Sequence, residues 1–448
     1  MKIFYLLYLL ILMLGLMSIP AGAQDQPVAF KGVKIYPITS DVIENGTLVI
    51  HNGKISAIGD SNEVQIPDMA VIIDVSGKII MPGLVDSHSH LGIYPLPPVE
   101  ANSDGNEMTG PVQSHLRALD AINPADPGIR SALTGGITTA NIMPGSGNVV
   151  GGQTAYVKLK GKSIEEMLIH KQGIQGGMKM ANGENPKRVY GPKGQSPSTR
   201  MAIAALQRIL FIQAREYKAK WDQYNNTSRE EKTGIPPPAY NLELEPIVEV
   251  LERKRTIHFH THRADDIMTI LRLKKEFGFD LVLHHVTEGY KVAEEIAKAG
   301  ASASIITIDS PGGKHEAARF DLRNGGILEK AGVLVAIHTD YPIWDSRLFL
   351  RSAALMVREG MSEKGALEAL TINPAKMMQL ENRIGSLEIG KDADFIVLSG
   401  HPFSVKTHVL QTYIEGEPVF DRNLTQDERY ATGGYEVSED YPIMEANP

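Results

Sequence analysis

The chain contains no cysteine, although it is 448 residues long. This absence excludes disulfide bonds, thiolate metal ligands and a cysteine nucleophile. Basic residues are also in the minority, because 45 Lys and Arg stand against 53 Asp and Glu and give a net charge of −8. Such a chain does not offer the basic surface that nucleic acids or anionic lipids bind. We expect a globular protein with one large domain, or a large domain with a satellite.

Long apolar runs are absent after the first residues. Lys2 is followed by an almost uninterrupted apolar run over residues 3–19, and small residues, Ala21 and Ala23, precede the polar Gln24. This pattern predicts a secretory signal peptide over residues 1–23, with an uncleaved membrane anchor as the alternative. A lipoprotein is excluded because no cysteine can carry the lipid. We expect an exported protein, periplasmic or secreted, whose mature chain does not cross a membrane.

Both ends of the mature chain have the pattern of short β-strands. Apolar alternation with Asn-Gly turn signals at residues 45–46 and 52–53 predicts hairpins in the first part. A similar pattern returns over residues 384–421. We therefore predict one small β-sandwich domain built from both ends, residues 24–81 and 384–428. Residues 429–448 lack periodicity and are predicted to be a tail.

Residues 82–383 alternate strand-sized apolar runs with helical patterns. The clearest units are strands over 256–260, 281–284 and 333–337, with a helix over 264–277. A βα unit that repeats about every 25 to 30 residues predicts a (β/α)8 TIM-like barrel of the α/β class. An open doubly wound sheet is the alternative, although no Gly-rich phosphate loop opens the first unit. Residues 186–240, with a helix over 200–217, interrupt the repeat and are predicted to lie over the barrel mouth.

Histidine is concentrated at the predicted strand ends. His88 and His90 are two residues apart at the end of a strand, so both imidazoles share one face. Further candidates end three later strands: His260 with His262, His285, and Asp340. The carboxyl ends of barrel strands open on one rim, where imidazoles and carboxylates can bind a divalent ion. The pattern therefore predicts a metal site on that rim.

With the closing segment 385–394, GSLEIGKDAD, these residues resemble the amidohydrolase superfamily in its imidazolonepropionase-like and prolidase-like branch. The resemblance implies a distorted (β/α)8 barrel with a β-sandwich from both chain ends, and a possible homo-oligomer. It implies one or two divalent ions, for which all-His and carboxylate ligation suits zinc. It also implies hydrolysis of a C–N bond in a small molecule: an amide, a dipeptide or a cyclic amide.

The resemblance also assigns roles to single residues. His88 and His90 correspond to ligands of the first metal, His260 and His285 to the ligands that end strands five and six, and Asp340 to the strand-eight aspartate. At strand four, either a carboxylated Lys179 or Glu184 fits, and we slightly favour Glu184 because a carboxylate needs no added CO₂. His262 is expected to contact the substrate, and His258 to pack.

A mechanism follows from the same resemblance. The metal would lower the pKa of a bound water to about 7, and Asp340 would take the water's proton and return it to the departing nitrogen. His285, or His262 if it binds no metal, would stabilise the oxyanion. The sequence HTHRADD at strand five differs from the imidazolonepropionase pattern and argues against imidazolonepropionate. Alternatives are a deaminase of the same superfamily and a non-catalytic metal-binding envelope protein.

Overall fold

The computed structural model of the protein describes residues 26–170, 176–307 and 314–433. The predicted signal peptide, residues 1–23, and residues 434–448 of the predicted tail lie outside this part. Among the described residues, no helix is long and apolar enough to cross a membrane. The short helix Thr425–Thr432 extends past residue 429, so the predicted tail begins inside a helix.

The described strands are, in chain order, β1 Val28–Ile35, β2 Ile43–His51, β3 Lys54–Asp60, β4 Val71–Asp74, β5 Ile79–Pro82, β6 Leu84–Ser89, β7 Ile137–Ile142, β8 Val150–Gln153, β9 Ala155–Lys158, β10 Met178–Ala181, β11 Ile257–Thr261, β12 Leu281–His285, β13 Ser302–Ile305, β14 Val335–Ile337, β15 Phe395–Leu398, β16 Val409–Ile414 and β17 Glu417–Asp421. The α-helices are Pro127–Thr134, Ile164–Met167, Glu184–Tyr190, Arg200–Asn226, Glu245–Leu251, Ala264–Phe277, Ala293–Lys298, Asn324–Lys330, Phe349–Arg358, Glu363–Leu370, Ile372–Met377 and Thr425–Thr432.

Both chain ends contribute to one eight-stranded sheet, in the order β17-β16-β15-β5-β1-β2-β3 with β4 paired to β1. The antiparallel pair β5–β15 joins the two ends. Phe30 from the first part packs edge-on against Phe395 at 5.0 Å between ring centroids, and Phe395 stacks on Tyr413 at 4.5 Å. These eight strands are linked in a single sheet, so the two separate layers of a β-sandwich are not distinguished. The domain boundaries remain a prediction.

A bulge in β1 explains how this sheet accommodates so many strands. Residues before Gly32 pair with β4, and residues after it pair with β5. Gly32 has φ of +75°, and a Cβ there would lie 2.4 Å from Ser76 Oγ. Only glycine fits this left-handed position without strain. The glycine thus allows one strand to change partners along a single edge.

The middle of the chain forms two further sheets that carry the histidines. The six-stranded sheet has the order β14-β13-β12-β11-β10-β8, and the three-stranded sheet has the order β6-β7-β9. Strands β10 to β14 are all parallel, as the βα repeat predicts. Within this ladder Thr261 pairs with His285, and His285 with Ile305. The carboxyl ends of these strands therefore lie at one level.

One closed ladder of eight parallel strands, which the sequence predicts, is not found in the described residues. Strands β8 and β9 run antiparallel to β10 and β7, and each ends its sheet at that edge. The chain passes from one sheet to the other at Thr154, between these two strands. On the opposite side, a parallel bridge between Ser89 and Tyr341 holds the end of β6 beside the segment after β14. The histidine-bearing ends of β6 and β14 are neighbours for this reason.

The segment 186–240 contains a helix longer than predicted, Arg200–Asn226. The helix continues past the predicted end at residue 217, and a pair between Lys218 and Asp222, one turn later at 2.8 Å, adds to its stability. Its Gln207 side chain donates to the carbonyl of Ala181 at 3.1 Å. The helix is thereby attached to the carboxyl end of β10.

Candidate metal centre

The predicted metal ligands at the ends of β6 and β14 are brought together by the backbone. The amide of Asp340 donates to the carbonyl of His88 at 2.9 Å, and the amide of His90 donates to Tyr341 at 3.1 Å. Asp340 itself has φ of +51°, and His285 has φ of +69°. Such values are uncommon for residues other than glycine and are concentrated at functional sites. The two cross-strand hydrogen bonds hold Asp340 between the first two histidines.

The side chains of this group converge on a small volume. Asp340 Oδ1 lies 3.2 Å from His88 Nε2 and 3.1 Å from His90 Nε2. Asp340 Oδ2 lies 4.0 Å from His285 Nδ1. One ligand atom from each of His88, His285 and Asp340 lies within 4.8 Å of the others. The structure therefore brings together four of the residues that the sequence singles out.

Lys179, one of the two strand-four candidates, belongs to the same cluster. It is fully buried on β10, with Nζ 3.1 Å from His88 Nε2 and 3.2 Å from Met143 Sδ. Burial lowers the pKa of Lys179 to about 7, although the nearby Asp340 charge raises it in part. This amine therefore loses its proton more readily than that of an exposed lysine.

Glu184, the strand-four residue favoured from the sequence, lies elsewhere. It begins the helix Glu184–Tyr190, is half-buried, and its backbone amide donates to Glu316 Oε2 at 2.9 Å. None of the clusters of potential metal-binding groups in the described residues includes it. The reason is the turn at Gly183, whose φ of +84° ends the extended backbone and starts the helix. The preference for Glu184 is thus not supported, and Lys179 is the strand-four group that faces the cluster.

A second group of histidines lies beside the first. Ligand atoms of His260, His262 and His285 lie within 4.8 Å of one another, and all three residues are buried. His260 also approaches the Asn185 amide, at 3.5 Å from Nε2. His285 belongs to both groups, so the two groups are adjacent.

Unpartnered nitrogens of His260, His262 and His285 fit a divalent metal, whereas the His88 nitrogen that faces Asp340 is Nε2 and its unpartnered atom is Nδ1. His88 Nδ1, His260 Nδ1, His262 Nε2 and His285 Nε2 are buried and have no hydrogen-bond partner in the described part of the chain. Buried polar atoms without a partner are rare, and a bound ion is one explanation for them. A set of imidazoles with one carboxylate suits zinc and related divalent ions.

The electrostatics of the site keep its histidines available as ligands. Burial first, and then neighbouring positive charges, hold the pKa values of His88, His260 and His285 well below the ordinary value, and the pKa of His262 is about 3. Burial acts to raise the pKa of Asp340, but the hydrogen bond from His90 and nearby charges outweigh it, so the pKa is lowered. The site thus combines neutral imidazoles with an ionised carboxylate.

Two groups around the site escaped the sequence analysis. Asp86, fully buried on β6, accepts hydrogen bonds from Thr339 Oγ1 at 2.5 Å and from the backbone of Thr339 and His88 at 3.1 and 3.3 Å. It connects the two strand ends that carry His88 and Asp340. Lys314 is near enough for its charge to lower the pKa values of His260, His262 and His285. In the sequence, Asp86 is marked only by its place in the segment LVDSHSH, and no sequence feature marks Lys314 as part of the site.

The remaining histidines at the strand ends form hydrogen-bonded chains, and ligand atoms of His284 and His338 also lie within 4.8 Å of one another and of one of His88. Tyr156 OH lies 3.0 Å from His258 Nε2, and His258 Nδ1 lies 2.9 Å from His284 Nε2. His338 lies between Ser304 Oγ at 2.7 Å and His285 Nδ1 at 3.3 Å. His258, expected to pack, is therefore part of a buried polar network.

Comparisons with known proteins show what the whole chain is similar to. The sequence profile of the amidohydrolase family matches residues 79–419. A crystal structure of an amidohydrolase from Thermotoga maritima MSB8 is 41% identical, with a TM-score of 0.82, over 88% of this chain and all of that one. An imidazolonepropionase from Fusobacterium nucleatum is 23% identical over 85% of this chain and 93% of its own length. The amidohydrolase tasK of Hapsidospora irregularis is 28% identical over 84% of this chain, which spans 40% of that relative.

More distant structures add support for the fold alone. A putative prolidase from Bifidobacterium longum is 16% identical with a TM-score of 0.54, over 91% of this chain and 99% of that one. Together the neighbours imply a TIM-like barrel with an additional domain.

The family match and its relatives indicate a metal-dependent hydrolase acting on C–N bonds, and the resemblance drawn from the sequence is confirmed. This chain belongs to the amidohydrolase family.

Proposed function

We propose that the chain is an exported hydrolase that cleaves the C–N bond of an amide, a dipeptide or a cyclic amide, with water activated at a divalent metal centre and Asp340 moving the proton. The main support is that one nitrogen each of His88, His90 and His285 lies 3.2, 3.1 and 4.0 Å from an oxygen of Asp340. The apolar run of residues 3–19 with Ala21 and Ala23 supports export.

His88, His90 and Asp340 would hold one ion, and His260 with His285 a second. A bound divalent ion lowers the pKa of water to about 7 and polarises the carbonyl of a substrate. Lys179 lies against His88 at 3.1 Å, where its amine could take up CO₂. The nitrogen lone pair would form a C–N bond to CO₂ and release a proton, and the resulting carbamate would be available as an anionic ligand beside His88.

Asp340 performs the proton transfers in this proposal. Its carboxylate, ionised and 3.1 Å from His90 Nε2, accepts the proton of the attacking water and returns it to the leaving nitrogen. That nitrogen then departs as a neutral amine rather than as an amide anion. A buried site also limits competition from bulk water for these groups.

The relatives suggest which substrates to test first. Imidazolonepropionases are among the similar sequences, and a Xaa-Pro dipeptidase is among the structural neighbours. A dipeptide or a cyclic amide therefore comes before other amides, whereas HTHRADD at strand five argues against imidazolonepropionate itself.

Removing the metal should abolish turnover. We expect the purified protein to contain about two divalent ions per chain, and dialysis against a chelator to remove activity that added Zn²⁺ restores. Elemental analysis and an assay of dipeptides and cyclic amides for amine release test this. Release of ammonia instead of an amine or amino acid would point to a deaminase, and a protein that neither contains nor takes up a divalent ion would contradict the proposal.

Replacement of Lys179 should remove the carbamate. In protein loaded with zinc and carbon-13 bicarbonate, we expect one carbamate carbon signal that disappears in Lys179→Gln, together with reduced metal content. Lys193→Gln is the matched control, because Lys193 is exposed and its amine contacts the carbonyl of Met108 and the ring of Tyr190, away from the histidine clusters. A signal that persists in Lys179→Gln would show that another lysine carries the carbamate.

A further inference from the structure

We infer that His262 is a third histidine ligand of the ion that His260 and His285 hold, and not a contact to the substrate. The inference rests on the proposed metal-dependent function and extends it, because the family resemblance gives that ion only His260 and His285 as histidine ligands. It also differs from the substrate contact that the sequence predicts for His262.

Strand geometry places His262 in reach of the other two histidines. His260 and His262 are two residues apart where β11 ends, so their side chains share a face. Ring centroids are separated by 4.7 Å for His260–His262, 4.9 Å for His262–His285 and 4.4 Å for His260–His285. One nitrogen from each ring lies within 4.8 Å of the others. With metal–nitrogen distances of about 2.0–2.1 Å, small side-chain adjustments bring all three to one ion.

Each of the three rings has one nitrogen that needs a partner. His260 Nδ1, His262 Nε2 and His285 Nε2 are buried and have no hydrogen-bond partner among the described residues. The residues themselves are 1%, 3% and 4% exposed. One ion between the rings would satisfy three unpartnered nitrogens at once. A residue that recognises substrate needs accessible surface for the substrate to cover, and His262 has almost none.

A hydrogen bond on the opposite side of the His262 ring sets its orientation. His262 Nδ1 lies 2.7 Å from Thr287 Oγ1, just beyond the end of β12. When Nδ1 carries the proton and donates it to the hydroxyl, the lone pair on Nε2 is free and directed away from Thr287. Metal-binding histidines commonly donate their second N–H in this way, and the partner fixes the tautomer and the ring orientation. Thr287 is therefore the positioning residue for His262.

Metal titration of the full chain tests the inference without using activity. Chelator-stripped wild type, His262→Asn, Thr287→Val and the control His408→Asn are titrated with Zn²⁺ by calorimetry and with Co²⁺ by visible absorption. His408 has an exposed side chain and lies outside the histidine clusters. Thermal unfolding of each stripped variant checks that it is folded.

We expect wild type and His408→Asn to bind two ions, whereas His262→Asn keeps one and binds the second at least about 100-fold more weakly. Thr287→Val should weaken the second ion about 10-fold or more, the effect typical of losing an outer hydrogen bond. In the Co²⁺ titration of Thr287→Val, only the visible absorption of the second ion should differ from that of wild type. If His262→Asn is not folded, Thr287→Val decides.

Two equally tight ions in His262→Asn, or an unchanged second ion in Thr287→Val, would overturn the inference and leave the proposed hydrolase intact. Another outcome is that wild type binds a single ion. If His88→Asn then loses that ion and His262→Asn keeps it, the inference is overturned in the same way. Failure of wild type to bind any ion would instead refute the proposed function. The two failures are therefore distinguishable.

Discussion

Replacement of Asp340 by asparagine should lower kcat by about 10²- to 10⁴-fold, the usual contribution of a group that transfers a proton in the transition state. The amide cannot accept the proton of the attacking water or return it to the leaving nitrogen. The amide oxygen can still occupy the position of Oδ1 near His88 Nε2 and His90 Nε2, so most of the bound metal should remain. Steady-state kinetics with elemental analysis of the same sample measures both.

Asp321→Asn is the matched control for this experiment. Asp321 pairs with the exposed Arg323 at 2.6 Å and is not in the candidate metal clusters. Its kcat and metal content should equal those of wild type. If Asp340→Asn, with its metal retained, turns over as fast as wild type, Asp340 does not transfer the proton.

Replacement of Lys158 by methionine should destabilise the protein by about 3–5 kcal/mol, the usual effect of removing one partner from a buried ion pair. Lys158 Nζ, on β9, lies 2.6 Å from Asp392, 3.1 Å from Asp394 and 3.0 Å from Glu415. Asp392 and Asp394 are 2% and 4% exposed. Methionine fills the space, and Asp392 keeps its pairs with Lys54 and Arg383. The buried Asp394, however, loses the cation that pairs with it among the described residues. The apparent midpoint of thermal unfolding should fall by several degrees.

Lys160→Met is the control, because Lys160 pairs with the half-exposed Glu417 at 3.0 Å and, at 3.6 Å, with Glu415, but not with the buried Asp392 or Asp394. A pair of this kind contributes about 0–1 kcal/mol.

Burial lowers the pKa of Lys158, but Asp394 and Asp392 outweigh burial, so the folded-state pKa lies above 10.5. The stability from Lys158 is therefore complete below pH 10.5 and is lost only as the pH rises through the folded-state pKa. Equal midpoints for Lys158→Met and wild type at pH 7 and 8 would contradict this.

Much of the candidate site was predictable because short parallel strands have simple sequence patterns. An apolar run followed by a histidine marks the ends of β11 and β12, and the helix Ala264–Phe277 was predicted with its observed bounds. Residues at the ends of adjacent parallel strands must be neighbours, so the clustering of His260 with His285 follows from local patterns alone.

Other features depend on contacts between distant parts of the chain. Lys179 and Glu184 are five residues apart, and only the turn at Gly183 decides which one faces His88. Neither Asp86 nor Thr287 has a local pattern, because their roles depend on partners from other strands. The antiparallel pairing of β8 with β10 and of β9 with β7 was missed, because the sequence of a four-residue strand does not indicate its direction in a sheet.

The sheet shared by both chain ends has a consequence for the order of assembly. Strand β5 acquires its neighbour β15 only when residues 395–398, near the end of the chain, become available. Such distant pairing delays completion of a fold, because the loop between the partners must close first. This connection therefore postpones the finished sheet until residues 395–398 have been synthesised.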